Sequence, residues 1–180
     1  MKQVTLDVVK LFSQRLYDMQ FADIPDNPKK MGIDKDYRII TDFVSTEEEF
    51  VSHSTPFLIR NNKWWSIGAI EKFRSNSDLP WRQRCDMYEN GRRAYSIEHE
   101  YPVGIMKTML LNKEFTDVEQ VVNFCLRYGK MVIVTAEEND ALNKVSKSAS
   151  SIEEAHERYT QQDIIVRRFS AQLERYGLQD

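Results

Sequence analysis

Two cysteines, three histidines, six glycines and five prolines are few for a chain of 180 residues, and each scarcity disfavours a class of function. Cys85 and Cys125 stand far apart with no partner at metal or redox spacing, so the sequence suggests neither a disulfide framework nor a zinc site, and a reducing compartment fits. The glycines are scattered and none adopts the spacing that cradles nucleotide phosphates, which disfavours nucleotide hydrolysis. The longest apolar runs, such as Met131-Val132-Ile133-Val134, fall far short of the roughly 20 residues a membrane-spanning helix needs. The N-terminus places Asp7 where a signal peptide would continue its apolar run. The expectation is a cytoplasmic protein that needs no cofactor or metal and does not enter a membrane.

What the chain does have is enough apolar matter to fold. Hydrophobic residues make up 41%, charged residues 29% and aromatics 11%, a balance outside the disordered and membrane classes. Its length favours one core over two, so the expected architecture is a single α+β domain over residues 1–180, with several short capped helices around a small sheet. The net charge of −3 offers no general attraction for nucleic acid. The charge is unevenly spread, however. Residues 60–93 hold eight bases (Arg60, Lys63, Lys72, Arg74, Arg82, Arg84, Arg92 and Arg93) against four acids, and all three tryptophans, Trp64, Trp65 and Trp81. This window is the most distinctive block in the sequence, and its arginines and tryptophans are of the types that dominate binding hot spots or stack on exposed bases.

Hydrophobic periodicity supplies the elements. Val8, Phe12, Leu16 and Met19, widened by Leu11, predict a helix over 5–20. Two prolines at 25 and 28 predict a loop over 24–30, and the β-branched and aromatic run 37–44 predicts a strand. Ser45 and Glu48 then have the spacing of a helix cap, 57–60 suggests a brief strand, and 66–74 a helix. Pro80 suits the first turn of a helix running to Glu89. Further on, Thr116 with Glu119 predicts a cap, and Val118, Val121, Val122, Cys125 and Leu126 a helical stripe, expected to pack on Val132 and Val134. Residues 131–134 read as a strand buried on both faces, Thr135 and Glu138 as the cap of the next helix, 146–151 as a polar linker, Ser151 and Glu154 as another cap, and 164–166 as a last strand before a frayed end.

Catalytic residues are scarce. Cys125 lies on an apolar stripe and reads as core, while His53 and His156 read as solvated surface. His99 differs, because Glu98-His99-Glu100-Tyr101-Pro102 is an extended stretch followed by a helical pattern at Ile105, Met106, Met109 and Leu110. This acid-His-x-x-Pro order resembles the opening of the HNH, or His-Me finger, nuclease motif. The resemblance implies His99 as general base and Glu98 beside it in metal-dependent phosphodiester hydrolysis. Members of that family continue with an asparagine and a further histidine or asparagine after a short helix; here Asn112 and Asn123 are the only asparagines between 100 and 130, and no histidine follows before His156.

The same region is similar to a family of uncharacterised proteins of bacterial viruses and prophages, through Glu98-His99-Glu100-Tyr101-Pro102-Val103, Met131-Val132-Ile133-Val134-Thr135, Glu137-Glu138-Asn139-Asp140-Ala141-Leu142-Asn143 and Glu157-Arg158-Tyr159. That resemblance implies a phage or mobile-element origin and a host cytoplasm as the place of action. The expectation is therefore a non-enzymatic accessory protein that binds and modulates a host or viral macromolecule, for example as an inhibitor of a defence or transcription enzyme. Its partner is expected to be a protein, with nucleic acid the alternative, met through Arg82, Arg84, Arg92, Arg93, Trp64, Trp65 and Trp81. The competing expectation is the nuclease centred on His99.

Overall fold

The computed structural model describes residues 2–46, 54–146 and 151–176. In chain order its elements are α1 (Gln3–Asp18), α2 (Asp26–Thr46), α3 (Thr55–Asn61), β1 (Trp64–Ser66), α4 (Ile67–Ser75), α5 (Trp81–Cys85), β2 (Tyr88–Glu89), β3 (Arg92–Arg93) and β4 (Tyr95–His99), then α6 (Val103–Asn112), α7 (Val118–Tyr128), β5 (Met131–Thr135), α8 (Ala136–Ser146), α9 (Ile152–Gln161), β6 (Val166–Arg168) and α10 (Ala171–Arg175). The fold is α+β, many short helices with one small mixed sheet. Two compact units form, one from residues 1–51 and 99–130, the other from 52–98 and 131–180.

The first unit is helical among its described residues, with α1 packed on α2 and α7, and α2 also on α6. In α1 the buried face runs through Thr5, Val9, Ser13 and Leu16, and Leu11 is exposed. At about 100° per residue Leu11 lies on the opposite side of the helix from Val9, so it cannot widen the inward stripe. The larger correction concerns α2. Residues 26–30 of the expected loop and the expected strand at 37–44 belong to one helix, which buries Ile33, Asp36, Tyr37, Ile40, Thr41 and Val44, while 24 and 25 stay non-helical. Those positions recur every three or four residues, a helical period that outweighs the β-branched content of the run. Pro28 is tolerated because it falls in the first turn, where amides have no helical acceptor. Ser45 and Thr46 are the last described residues of α2, with Thr46 Oγ1 donating back to Asp42 O at 2.8 Å, and the helix expected to start at Ser45 and Glu48 falls outside the described residues. Glu48 and His53 lie outside the described residues.

Inside this unit the hydroxyl of Tyr37 donates to Tyr128 O at 2.9 Å, tying α2 to the end of α7. The cap of α7 is Asp117, whose carboxylate accepts from Gln120 N at 2.9 Å, one residue later than the expected Thr116. Gln120 reaches back to Thr116 Oγ1 at 2.6 Å. Val121, Val122, Phe124 and Cys125 are buried, while Leu126 is half-buried. Asp36 is a buried carboxylate 3.2 Å from the half-exposed Arg15, and burial raises its pKa against the opposing pull of Arg15.

The second unit is organised on a four-stranded sheet of order β4-β5-β1-β6. β1 and β5 are parallel, with Trp65 opposite Ile133, and β6 runs antiparallel to β1. All five residues of β5 are buried, as its continuous apolar run requires. Each parallel strand feeds directly into a helix. Ser66 caps α4 by accepting from Ala69 N, and Thr135 with Glu138 forms the expected capping box of α8 at 2.7 and 3.1 Å. Ser66 Oγ also donates to Glu138 Oε2 at 2.6 Å, so one carboxylate joins both helix starts. This junction is so close that a Cβ on Gly68 would stand 2.6 Å from Glu138 Oε1, so a larger residue there would push aside the carboxylate that joins the two helix starts.

One cluster of this unit gathers Ile59, Trp65, Ala69, Phe73, Cys85, Tyr95, Ile133 and Phe169; another gathers Val132, Val134, Leu142, Tyr159 and Ile164. The segment 57–60 belongs to helix α3, with Pro56 in its first turn, not to a strand. The helix after Pro80 stops at Cys85, because Tyr88–Glu89 and Arg92–Arg93 pair as a hairpin. Its turn residues Asn90 and Gly91 have φ of 51° and 78°, the left-handed geometry that Asn-Gly favours. Near the C-terminus, Ser170 caps α10, an element the sequence did not announce, and the final residues expected to fray lie outside the described residues.

Candidate binding cleft

Charge first decides which of the window's bases are available. Lys72 bonds Glu89 at 2.7 Å and Glu137 at 3.2 Å; Arg92 bonds Glu137 at 3.2 Å and Asp140 at 2.5 Å. Five charges of alternating sign thus pin the hairpin to α4 and α8. Burial opposes the charge on Lys72, but the hydrogen bonds it donates to Glu89 and Glu137 outweigh it and hold the ammonium above its usual pKa. Arg74 pairs with Glu174 at 2.9 Å, and Arg60 with Asp86. Three of these partners, Glu137, Asp140 and Glu174, come from outside the 60–93 window. The +4 excess legible along the chain is reduced to that extent in space.

The tryptophans are engaged as well. Trp65 is fully buried, edge-on to Phe73, Tyr95 and Phe169 at 5.6, 5.6 and 5.1 Å, with its indole N–H donating to Asn62 O. A ring with no exposed face offers nothing for a base to stack on, so Trp65 belongs to the core. Trp64 is half-buried against Val132, Val134 and their neighbours, and Trp81 packs on the aromatic core and donates to Ala171 O. Arg84 lies 4.5 Å over Phe73, and Arg82 is exposed on α5.

The block contributes differently to a cleft of about 420 Å³ lined by Thr55, Arg92, Arg93, Tyr95, Ser96, Ile97, Ala136 and Asn139. It sits beside the carboxyl end of β5, where α8 begins, a position at which α/β sheets commonly hold ligands. Arg92 aside, its polar side chains are uncommitted: Thr55, Ser96 and Asn139 make no side-chain hydrogen bond among the described residues, and Nη1 of Arg93 is buried without an acceptor there. Arg93 is held by the hairpin, which stacks its guanidinium 5.1 Å over the ring of Tyr88. Its Nη1 is one of several buried side-chain nitrogens and oxygens without a partner among the described residues, Arg60 Nε, Arg84 Nε and Tyr95 Oη among them, and it is the rest of the Arg93 side chain that lines the cleft. Of the cleft residues, the sequence pointed to Arg92 and Arg93. Thr55, Ser96 and Asn139 carry no signal in isolation.

The nuclease residues are not brought together as a catalytic pair. Glu98 and His99 are neighbours on β4, so their side chains leave opposite faces of the strand. Glu98 bonds Arg158 Nη2 at 3.4 Å in the second unit, and burial raises its pKa against the pull of that guanidinium. His99 Nε2 lies 3.3 Å from Thr41 Oγ1 in the first unit. The Thr41 hydroxyl also donates to Arg38 O at 2.8 Å, so His99 is tied to α2 through it. Among the described residues no three His, Cys, Asp or Glu side chains are grouped to hold a metal ion. Both thiols are buried, and burial pushes the Cys85 and Cys125 pKa values up to about 12, which suppresses the nucleophilic thiolate. Incubation with plasmid and single-stranded DNA in Mg²⁺, Mn²⁺ or Zn²⁺ is expected to leave both intact. Cleavage that His99→Ala abolishes would restore the nuclease reading.

No helix among the described residues is long and apolar enough to cross a membrane. Comparison of the chain with protein-family models, with curated proteins and with solved structures found no match.

Proposed function

We propose that this chain works by binding a macromolecule, with the Arg93 cleft of the second unit as a point of contact, and that the partner is a protein of the cell in which it acts. The single observation behind this reading is the convergence of Thr55, Arg93, Ser96 and Asn139 on one cleft, while the neighbouring Arg92 is neutralised by Glu137 and Asp140. A polar site of this kind orients a partner and sets specificity. A phage or prophage origin, implied by the resemblance of the stretches 98–103, 131–135, 137–143 and 157–159, would suit an accessory role toward a host enzyme. A net charge of −3 favours a protein over nucleic acid.

The test is a photoreactive benzoylphenylalanine placed at Thr55, on the cleft, or at the exposed Glu157 on α9 as a control. Irradiation in the native cell should give a discrete protein adduct from position 55 that excess unlabelled chain competes away. Equal labelling from both positions, or an adduct to nucleic acid alone, would sink the proposal.

A further inference from the structure

The charge balance of the cleft narrows what it receives. We infer that the Arg93 cleft takes one carboxylate of the protein partner, an acidic side chain, with the Arg93 guanidinium as its charged donor and Ser96, Thr55 and Asn139 as neutral ones. This rests on the binding reading above. Two cations line the cleft, and Arg92 is already shared between Glu137 and Asp140 at 3.2 and 2.5 Å. One positive charge is left, that of Arg93, and it matches a monoanion. A phosphate dianion would be under-neutralised and would face the carboxylates of Glu137 and Asp140 across Arg92.

The start of α8 offers no remedy, although helix N-termini bind phosphates through free amides. Ala136 N donates to Ala94 O at 3.0 Å, Glu137 turns its carboxylate onto its own backbone amide, and Glu138 N donates to Thr135 Oγ1 at 3.1 Å. Recognition therefore falls to side chains. The planar fork of a guanidinium suits a planar carboxylate, and the hydroxyls and amide around it can take up the remaining oxygen or the adjoining backbone. The volume of about 420 Å³ exceeds what one carboxylate fills and leaves room for the residues beside it.

The experiment is a titration of the isotope-labelled chain followed by NMR, with N-acetylglutamate N-methylamide as probe, the glutamine analogue as neutral control and inorganic phosphate as the competing oxyanion. Saturable shifts of the Ser96 and Asn139 amides and of the Arg93 Nε–Hε resonance are expected with the glutamate probe, in the millimolar range. They should be absent with the glutamine analogue and weaker with phosphate. Arg93→Gln should weaken binding by about tenfold or more, while Arg93→Lys, which keeps the charge but loses the fork, should fall between. Tighter binding of phosphate, or glutamate shifts that survive Arg93→Gln in a folded protein, would overturn the inference, as would no saturable shift at about 100 mM probe. A crosslink from position 55 that persists after such a failure would leave the binding reading standing and remove only the carboxylate.

Discussion

Replacing Trp65 by alanine is expected to destabilise the second unit by about 3–5 kcal/mol, the range for removing a large aromatic from a packed core. The ring is fully buried, touches Phe73, Tyr95 and Phe169 edge-on, and anchors β1 opposite Ile133. Its indole N–H also satisfies Asn62 O at 3.0 Å, and losing that donor leaves a buried carbonyl exposed to a cost of about 1–3 kcal/mol in the same direction. Against a total stability of about 5–15 kcal/mol for a domain, this substitution comes close to unfolding it. Trp65→Phe keeps most of the ring and should lose markedly less. Urea denaturation checks both; an unchanged midpoint for the alanine variant would mean that the ring is not at the centre of this core.

Arg158→Met should cost about 3 kcal/mol at neutral pH, toward the low end for breaking a buried ion pair because Glu98 retains some solvent contact. The guanidinium is only 2% exposed and lies 3.4 Å from Glu98 Oε2. Burial already raises the Glu98 pKa, and Arg158 is what restrains it. A carboxyl whose pKa is higher folded than unfolded destabilises the fold when ionised, and that cost is relieved as pH falls through the folded value. Removing Arg158 enlarges the cost, so the deficit of the variant should be greatest near pH 7 and shrink on acidification toward the ordinary carboxylate range. Adding Glu98→Gln to Arg158→Met removes the stranded charge and should recover part of the loss. Denaturation midpoints measured at several pH values decide it; a deficit independent of pH would show that Arg158 acts through packing alone.

Much of the C-terminal half was legible from pattern. The capping pairs Thr135 with Glu138 and Ser151 with Glu154, the apolar run of β5 and the stripe through Cys125 each declare themselves within a dozen residues, because caps and hydrophobic periods are local. The N-terminal half was misread where two local signals disagreed. In residues 37–44, Ile39, Ile40, Thr41 and Val44 favour a strand by residue type, yet Ile33, Tyr37, Ile40 and Val44 already mark a helical face. Burial against α1 and α6 settled the contest in favour of the period.

The amino-acid sequence by itself determined the α+β class, the starts of the helices that cap themselves, the buried central strand and the core placement of Cys125. It also determined that bases and tryptophans gather in residues 60–93. Only tertiary structure decided what that gathering means. Glu137, Asp140 and Glu174, all remote in the chain, come within 2.5–3.2 Å of Arg92, Lys72 and Arg74 and neutralise them, while Trp65 is drawn into the core. The cleft likewise exists only because α3, the β2–β3 hairpin, β4 and the start of α8 bring Thr55, Arg93, Ser96 and Asn139 to one place. The physical reason is range: turn, cap and period are fixed by neighbours a few residues apart, whereas a charge is balanced, or left for a partner, by whichever group the completed fold sets within a few ångströms.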